Sequence, residues 1–187
     1  MKAVLMSIQP YWVFLIITKV MGWNIGREKT AEIRKNAPKD KNWNKVVKIY
    51  CSKDKKSFAK IPKEYQPLMQ QFLGKVIGEF FCKDIYEVFQ CNSGWVSENA
   101  CLPRDKYFDY LGIERDTHFG YHKKAYAWCI SGLVIYDKPK VLSEFTKPIP
   151  EIPCLLDCGM FECVKCHNKA ELFKRPPQSW CYVEARQ

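Results

Sequence analysis

A chain of 187 residues, 47% hydrophobic and 14% aromatic, carries enough apolar material for a core, which excludes a globally disordered protein. Its 30 Lys+Arg against 20 Asp+Glu give a formal charge of +10, which favours a polyanionic partner such as RNA or DNA over a neutral one. The basic residues are scattered rather than blocked, so a basic tail is excluded and any charged face has to be assembled by folding.

Residues 2–8 (KAVLMSI) predict a short buried strand. Pro10 suits the first turn of a helix, and the nearly continuous apolar run over 11–21 predicts a buried one, ended by Gly22. That run is far short of the roughly 20 residues that span a bilayer, and no small-residue cleavage site follows it. The expectation is therefore no export, no membrane span and a cytoplasmic location. In a reducing compartment clustered cysteines point to metal before disulfides.

Residues 26–35 (GREKTAEIRK) form a densely charged stretch after a turn, and 36–44 read as a loop. A strand is predicted over 45–51 (KVVKIYC) and a short helix over 64–72. Residues 74–88 (GKVIGEFFCKDIYEV) read as one long strand or a bent pair, with Gly78 a candidate bulge. The stretch 91–122 is the least patterned, with a short helix expected over 104–111. Residues 126–136 (YAWCISGLVIY) return to strand, bent at Gly132, and 137–148 read as a loop rich in Lys and Pro. Short strands, one early helix and no regular βαβ alternation predict an α+β domain over residues 1–148 with a curled, mostly antiparallel sheet. Residues 149–187 form a cysteine-rich tail.

The charged stretch contains Lys29-x-x-Glu32-x-Arg34. Residues two apart on a strand share a face, so Glu32 and Arg34 are expected side by side, with Lys29 reaching over from the preceding turn. Such a group can hold a phosphate through its cations and a base or water through its carboxylate. A surface strand of alternating charge has the same spacing.

Ser7-Ile8-Gln9-Pro10 at the end of the first strand, the buried helix, the glycine turn and Lys29-x-x-Glu32-x-Arg34 together resemble ASCH domains of the PUA-like superfamily. The segments 74–80 and 126–145 fit the same layout. The order of parts is most similar to the phage and prophage type, which ends in a cysteine-bearing tail with a segment like 175–184 (RPPQSWCYVE). The family pattern is Gly-x-Lys-x-x-Glu-x-Arg; here Arg27 stands at the glycine position and Gly26 lies one residue early. The resemblance implies a small β-barrel whose cleft, lined by this motif, takes RNA or a modified nucleoside. Some relatives are ribonucleases, for which Lys29 and Glu32 would be the catalytic pair. Others are amidohydrolases on acetylated cytidine that use a Lys-x-x-Thr pair. In this chain that third position is Glu32, and the adjacent Thr30 is turned to the other face. Lys29 and Arg34 would hold a phosphate, Glu32 would meet a base edge, and Trp12 or Trp128 could stack on a base. For either tryptophan, a place in the core is the alternative.

Cys163-Val164-Lys165-Cys166 has the C-x-x-C spacing that sets two thiolates at neighbouring corners of a zinc tetrahedron. Cys158 and Cys181 complete the expected structural zinc site, with Cys154 in reserve. Cys51, Cys82 and Cys129 read as small core residues. Three functions follow: an RNA-binding module, a hydrolase acting through Lys29 and Glu32, or a phage accessory protein that binds a host protein.

Overall fold

The computed structural model describes residues 2–39, 43–88, 93–103, 106–111, 124–148 and 172–185. The elements in chain order are β1 (Ala3–Ile8), α1 (Pro10–Ile17), β2 (Ala31–Arg34), β3 (Val46–Cys51), α2 (Lys55–Phe58), α3 (Gln66–Phe72), β4 (Val76–Phe81), β5 (Ile85–Glu87), α4 (Ser93–Asn99), α5 (Tyr107–Leu111), β6 (Tyr126–Cys129), β7 (Ser131–Lys140), β8 (Phe145–Thr146) and β9 (Trp180–Ala185).

Six strands form one sheet in the order β7-β4-β3-β1-β9-β8, and three form a second in the order β2-β6-β5. All pairings are antiparallel except β1 with β3, so the larger sheet is mixed. Five interstrand spacings of about 4.8 Å put the edge strands of a flat six-stranded sheet ~24 Å apart. The five Cα steps from Lys140, at the end of β7, to Phe145, at the start of β8, reach at most about 18 Å. The sheet therefore has to curl. Lys48 on β3 lies 5.8 Å from the Phe145 ring on edge strand β8, which marks that face as the concave one.

Alternation along the strands divides the core. Val4, Met6, Ile8, Val47 and Ile49 face α1 and the second sheet, whereas Leu5, Tyr50, Val76, Phe145 and Val183 fill the concave face. A third cluster, built on Ile33, Ala127, Val96 and Leu111, packs α4 and α5 against the far side of the second sheet. α1 is buried over most of its surface, as its unbroken apolar run requires. Past it, Gly22 takes a φ of 68°, its N–H donates to the Lys19 carbonyl and the Trp23 N–H donates to Thr18. These are the paired bonds of a Schellman turn, and they stop the helical winding where the sequence places the stop. Among the described residues no helix is long and apolar enough to cross a membrane.

Several expectations change in the folded chain. Residues 74–88 are a bent pair, but the bend sends β4 and β5 into different sheets. Gly78 sits at an irregularity of the β4–β7 ladder, where an added Cβ would overlap the Val134 carbonyl oxygen. Residues 126–136 likewise divide between the two sheets, with Gly132 at a φ of 53°. The segment expected as a loop over 137–148 is a strand as far as Lys140. Pro139 is accommodated because β7 is an edge strand, where a missing N–H leaves no ladder bond unmade. β9 lies between β1 and β8, so residues 180–185 belong to the larger sheet although they follow the boundary expected near residue 148.

Candidate functional site

The segment before β2 is stitched to two helices. The Lys29 N–H donates to the Leu15 carbonyl of α1, and the Thr30 N–H donates to the Asn99 carbonyl of α4. β2 then pairs antiparallel with β6, Glu32 opposite Trp128 and Arg34 opposite Tyr126. Directly opposed residues share a face, so Glu32 and Arg34 point the way Trp128 points, while Ile33 points into the α4/α5 cluster.

On that face the three expected residues meet. Arg34 Nη1 lies 3.1 Å from Glu32 Oε1, and Lys29 Nζ lies 3.3 Å from Oε2. The Lys29 ammonium also donates to the Ala100 carbonyl at 2.7 Å and sits 4.9 Å from the Trp12 ring centroid. Arg34 Nη2 donates to the Ser7 carbonyl at 2.7 Å, and the Tyr110 hydroxyl donates to Glu32 Oε1 at 2.8 Å. Two cations and one carboxylate leave the cluster with one net positive charge.

The cluster is buried rather than displayed. Lys29 is 2% exposed, Glu32 0% and Arg34 9%. An exposed strand of alternating charge is thus excluded. Burial pulls the Lys29 ammonium below the ordinary lysine value, against the opposing pull of Glu32. Burial alone would raise the Glu32 carboxyl, but Lys29, Arg34 and the Tyr110 hydrogen bond outweigh it and hold the carboxyl below its usual range. Burial, then the Glu32 charge, pushes the Tyr110 hydroxyl far above the ordinary phenol value. Two buried donors on this face, Arg34 Nε and Trp128 Nε1, have no hydrogen-bond partner among the described residues, while Glu32 Oε2 is met by the Lys29 ammonium at 3.3 Å.

Trp12 is partly exposed and meets the cluster through Lys29 and the Tyr110 ring, whose centroid is 5.4 Å away. Trp128 is fully buried between Trp43 and Trp180, at centroid distances of 5.9 and 5.5 Å, so it presents no free ring face to a base. The Thr30 hydroxyl donates to Asn99 Oδ1 at 2.6 Å, away from Glu32, as the strand period requires. Gly26 takes a φ of 67°, so the glycine turn ahead of the motif is made one residue early. Tyr110, Ser7 and Ala100 were not anticipated as members. Tyr110 lies in a short predicted helix with no local mark of its role, and the other two contribute backbone oxygens, which any residue type carries.

Of the expected zinc ligands, Cys158, Cys163 and Cys166, with the reserve Cys154, lie outside the described residues. Cys181 lies on β9, opposite Leu5, with a free thiol that burial pushes up to about 11. Among the described residues no group of three or more metal-binding side chains assembles. Cys51 and Cys82 are buried, as expected of small core residues, whereas Cys129 is only partly so.

No family model matches this chain, and no curated protein does. Among solved structures it is similar to the ASCH protein of Zymomonas mobilis, at 19% identity and a TM-score of 0.44, over 97% of this chain and 87% of that one. A serine-to-alanine variant of that protein gives 17% and 0.45, over 97% and 88%; a tyrosine-to-phenylalanine variant gives 18% and 0.45, over 97% and 90%. A likeness this distant carries no argument about ligand or reaction.

Proposed function

We propose that this chain is an RNA-binding module whose Lys29, Glu32 and Arg34 cluster recognises a structured or modified RNA. The observation that carries the reading is the pair of buried donors beside the cluster with no hydrogen-bond partner among the described residues, Arg34 Nε and Trp128 Nε1. Leaving a buried polar atom unpaired costs about 1–3 kcal/mol, so two on one face call for a functional reason. Unpaired donors of this kind match the acceptors that a nucleobase edge presents. The net positive charge of the cluster and the +10 of the chain favour a phosphate-bearing ligand. Arg34, the most exposed of the three charged members, and the partly exposed Trp12 are the contact residues. Glu32 and Lys29 are positioning residues that hold the guanidinium and the indole from behind. The motif's resemblance to ASCH domains points the same way.

A hydrolase is the second reading, favoured by one feature: the lowered pKa of Lys29 suits an ammonium that gives up its proton. Against it, Glu32 is held ionised by two cations, which makes it a weak base. One gel series separates the two. The protein and its Lys29→Ala and Arg34→Ala variants are incubated with tRNA and single-stranded RNA at two salt concentrations, and each lane is scored for mobility and for RNA integrity. A salt-sensitive shift with intact RNA, weakened in Arg34→Ala, is the expected result. Cleavage that disappears in Lys29→Ala would replace the reader with a ribonuclease. No shift and no cleavage would overturn both.

A further inference from the structure

A second cationic site lies away from the buried cluster. The strand period puts Trp180 and Tyr182 of β9 on the α1 side of the larger sheet and Cys181 and Val183 on the concave side. At the rim of that concave face, where β8 ends and the chain returns to β9, is a cavity of about 570 Å³. Its described lining carries three cations, Lys147, Lys174 and Arg175, and no acidic side chain. Phe173 and Pro176 supply an apolar wall and Gln178 an amide. The volume falls within the range of ordinary small-ligand pockets. Lys174 and Arg175 are exposed, so their charge is available to a ligand without the desolvation that burdens Lys29.

This cavity is tied to the candidate RNA site by a short path. Gln178 precedes Ser179, whose carbonyl accepts the Ser7 N–H at 2.8 Å, and the Ser7 carbonyl accepts Arg34 Nη2 at 2.7 Å. One β1 residue thus joins the cavity wall to the guanidinium proposed to touch RNA.

We infer that the cavity is a second nucleotide subsite for single-stranded RNA. Lys147, Lys174 and Arg175 take a phosphate, the base lies over Pro176 and the edge of Phe173, and the Gln178 amide meets the base edge. The inference rests on the RNA-binding reading and deepens it: the buried cluster reads, and this rim supplies the salt-dependent grip. Each phosphate neutralised on a single strand contributes about 0.7 to the slope of log affinity against log salt.

The test is a salt titration of single-stranded RNA binding by the full chain, the double variant Lys174→Ser/Arg175→Ser, and a control, Lys53→Ser/Lys56→Ser, that removes two exposed lysines elsewhere. The expected result is a slope lowered by about 0.7 in the cavity variant, with the control near wild type and thermal midpoints of all three alike. An unchanged slope in the cavity variant would overturn the subsite and leave RNA binding standing. An equal fall in the control would overturn it too, because the attraction would then be diffuse. A wild-type chain that binds no RNA would overturn the subsite together with the function it rests on.

Discussion

Replacing Glu32 by glutamine keeps the shape of the buried cluster and removes its only negative charge. At an effective dielectric of about 20, unit charges 3.1 and 3.3 Å apart attract by roughly 5 kcal/mol each. Desolvation of three buried ions offsets much of that gross attraction. What the substitution exposes is the uncompensated remainder, two largely buried cations, and removal of one partner from such an arrangement costs about 3–5 kcal/mol. The Tyr110 hydroxyl can still donate to the amide oxygen, so its bond does not add to the loss. Against the 5–15 kcal/mol of a typical domain, this is at least about a fifth of the total. Equilibrium denaturation of Glu32→Gln is expected to show that loss, with much of it recovered when Lys29→Met is added, because the second change removes one stranded cation. A loss below about 1 kcal/mol in the single variant would refute the reasoning, since a carboxylate of so little consequence cannot be neutralising two buried cations. Failure of Lys29→Met to recover any stability would refute the pairing specifically.

The same cluster sets a pH dependence. The folded Glu32 carboxyl lies below its unfolded value of 4.5, so its stabilisation is complete above that value and is lost as pH falls through the folded one. The folded Lys29 lies below 10.5, so the unfolded chain holds that proton more tightly, and stability gains from this group as pH rises from its folded value toward 10.5. Denaturation midpoints from pH 3 to 6 in wild type and Glu32→Gln check the acid limb, which is expected to flatten in the variant. Gly78→Ala is expected to destabilise by at least about 1–3 kcal/mol, because the new Cβ meets the Val134 backbone oxygen rather than a side chain that could move; a neutral result would mean the two strands do not approach there. Trp128→Ala is expected to cost about 3–5 kcal/mol as a fully buried ring, and a loss below 1 kcal/mol would remove Trp128 from the core. Zinc held by Cys158, Cys163, Cys166 and Cys181 predicts metal release from the purified chain on thiol modification, detected with a colorimetric chelator and abolished in Cys163→Ser/Cys166→Ser; a chain that purifies without zinc after expression in zinc-supplemented medium would sink that proposal.

Much of the local architecture was legible in the residue order. The apolar run over 11–21 and Gly22 foretold a buried helix and its Schellman stop. The spacing of Glu32 and Arg34 foretold that they share a face, because a strand's two-residue period is a property of the backbone, and Lys29 reaches them from the turn before the strand. Tertiary structure decided how deep the cluster lies and what completes it. Lys29 finds Ala100 across 71 positions and Glu32 finds Tyr110 across 78, through contacts that no local pattern records. The place of β9 between β1 and β8, the division of residues 126–136 between two sheets and the strand character of 137–140 were decided in the same way. The physical reason is common to all of them. Periodicity and turn chemistry act between near neighbours, and so can be read from order alone. Burial, desolvation and the pairing of one polar atom with another depend on which distant segments a curled sheet brings together.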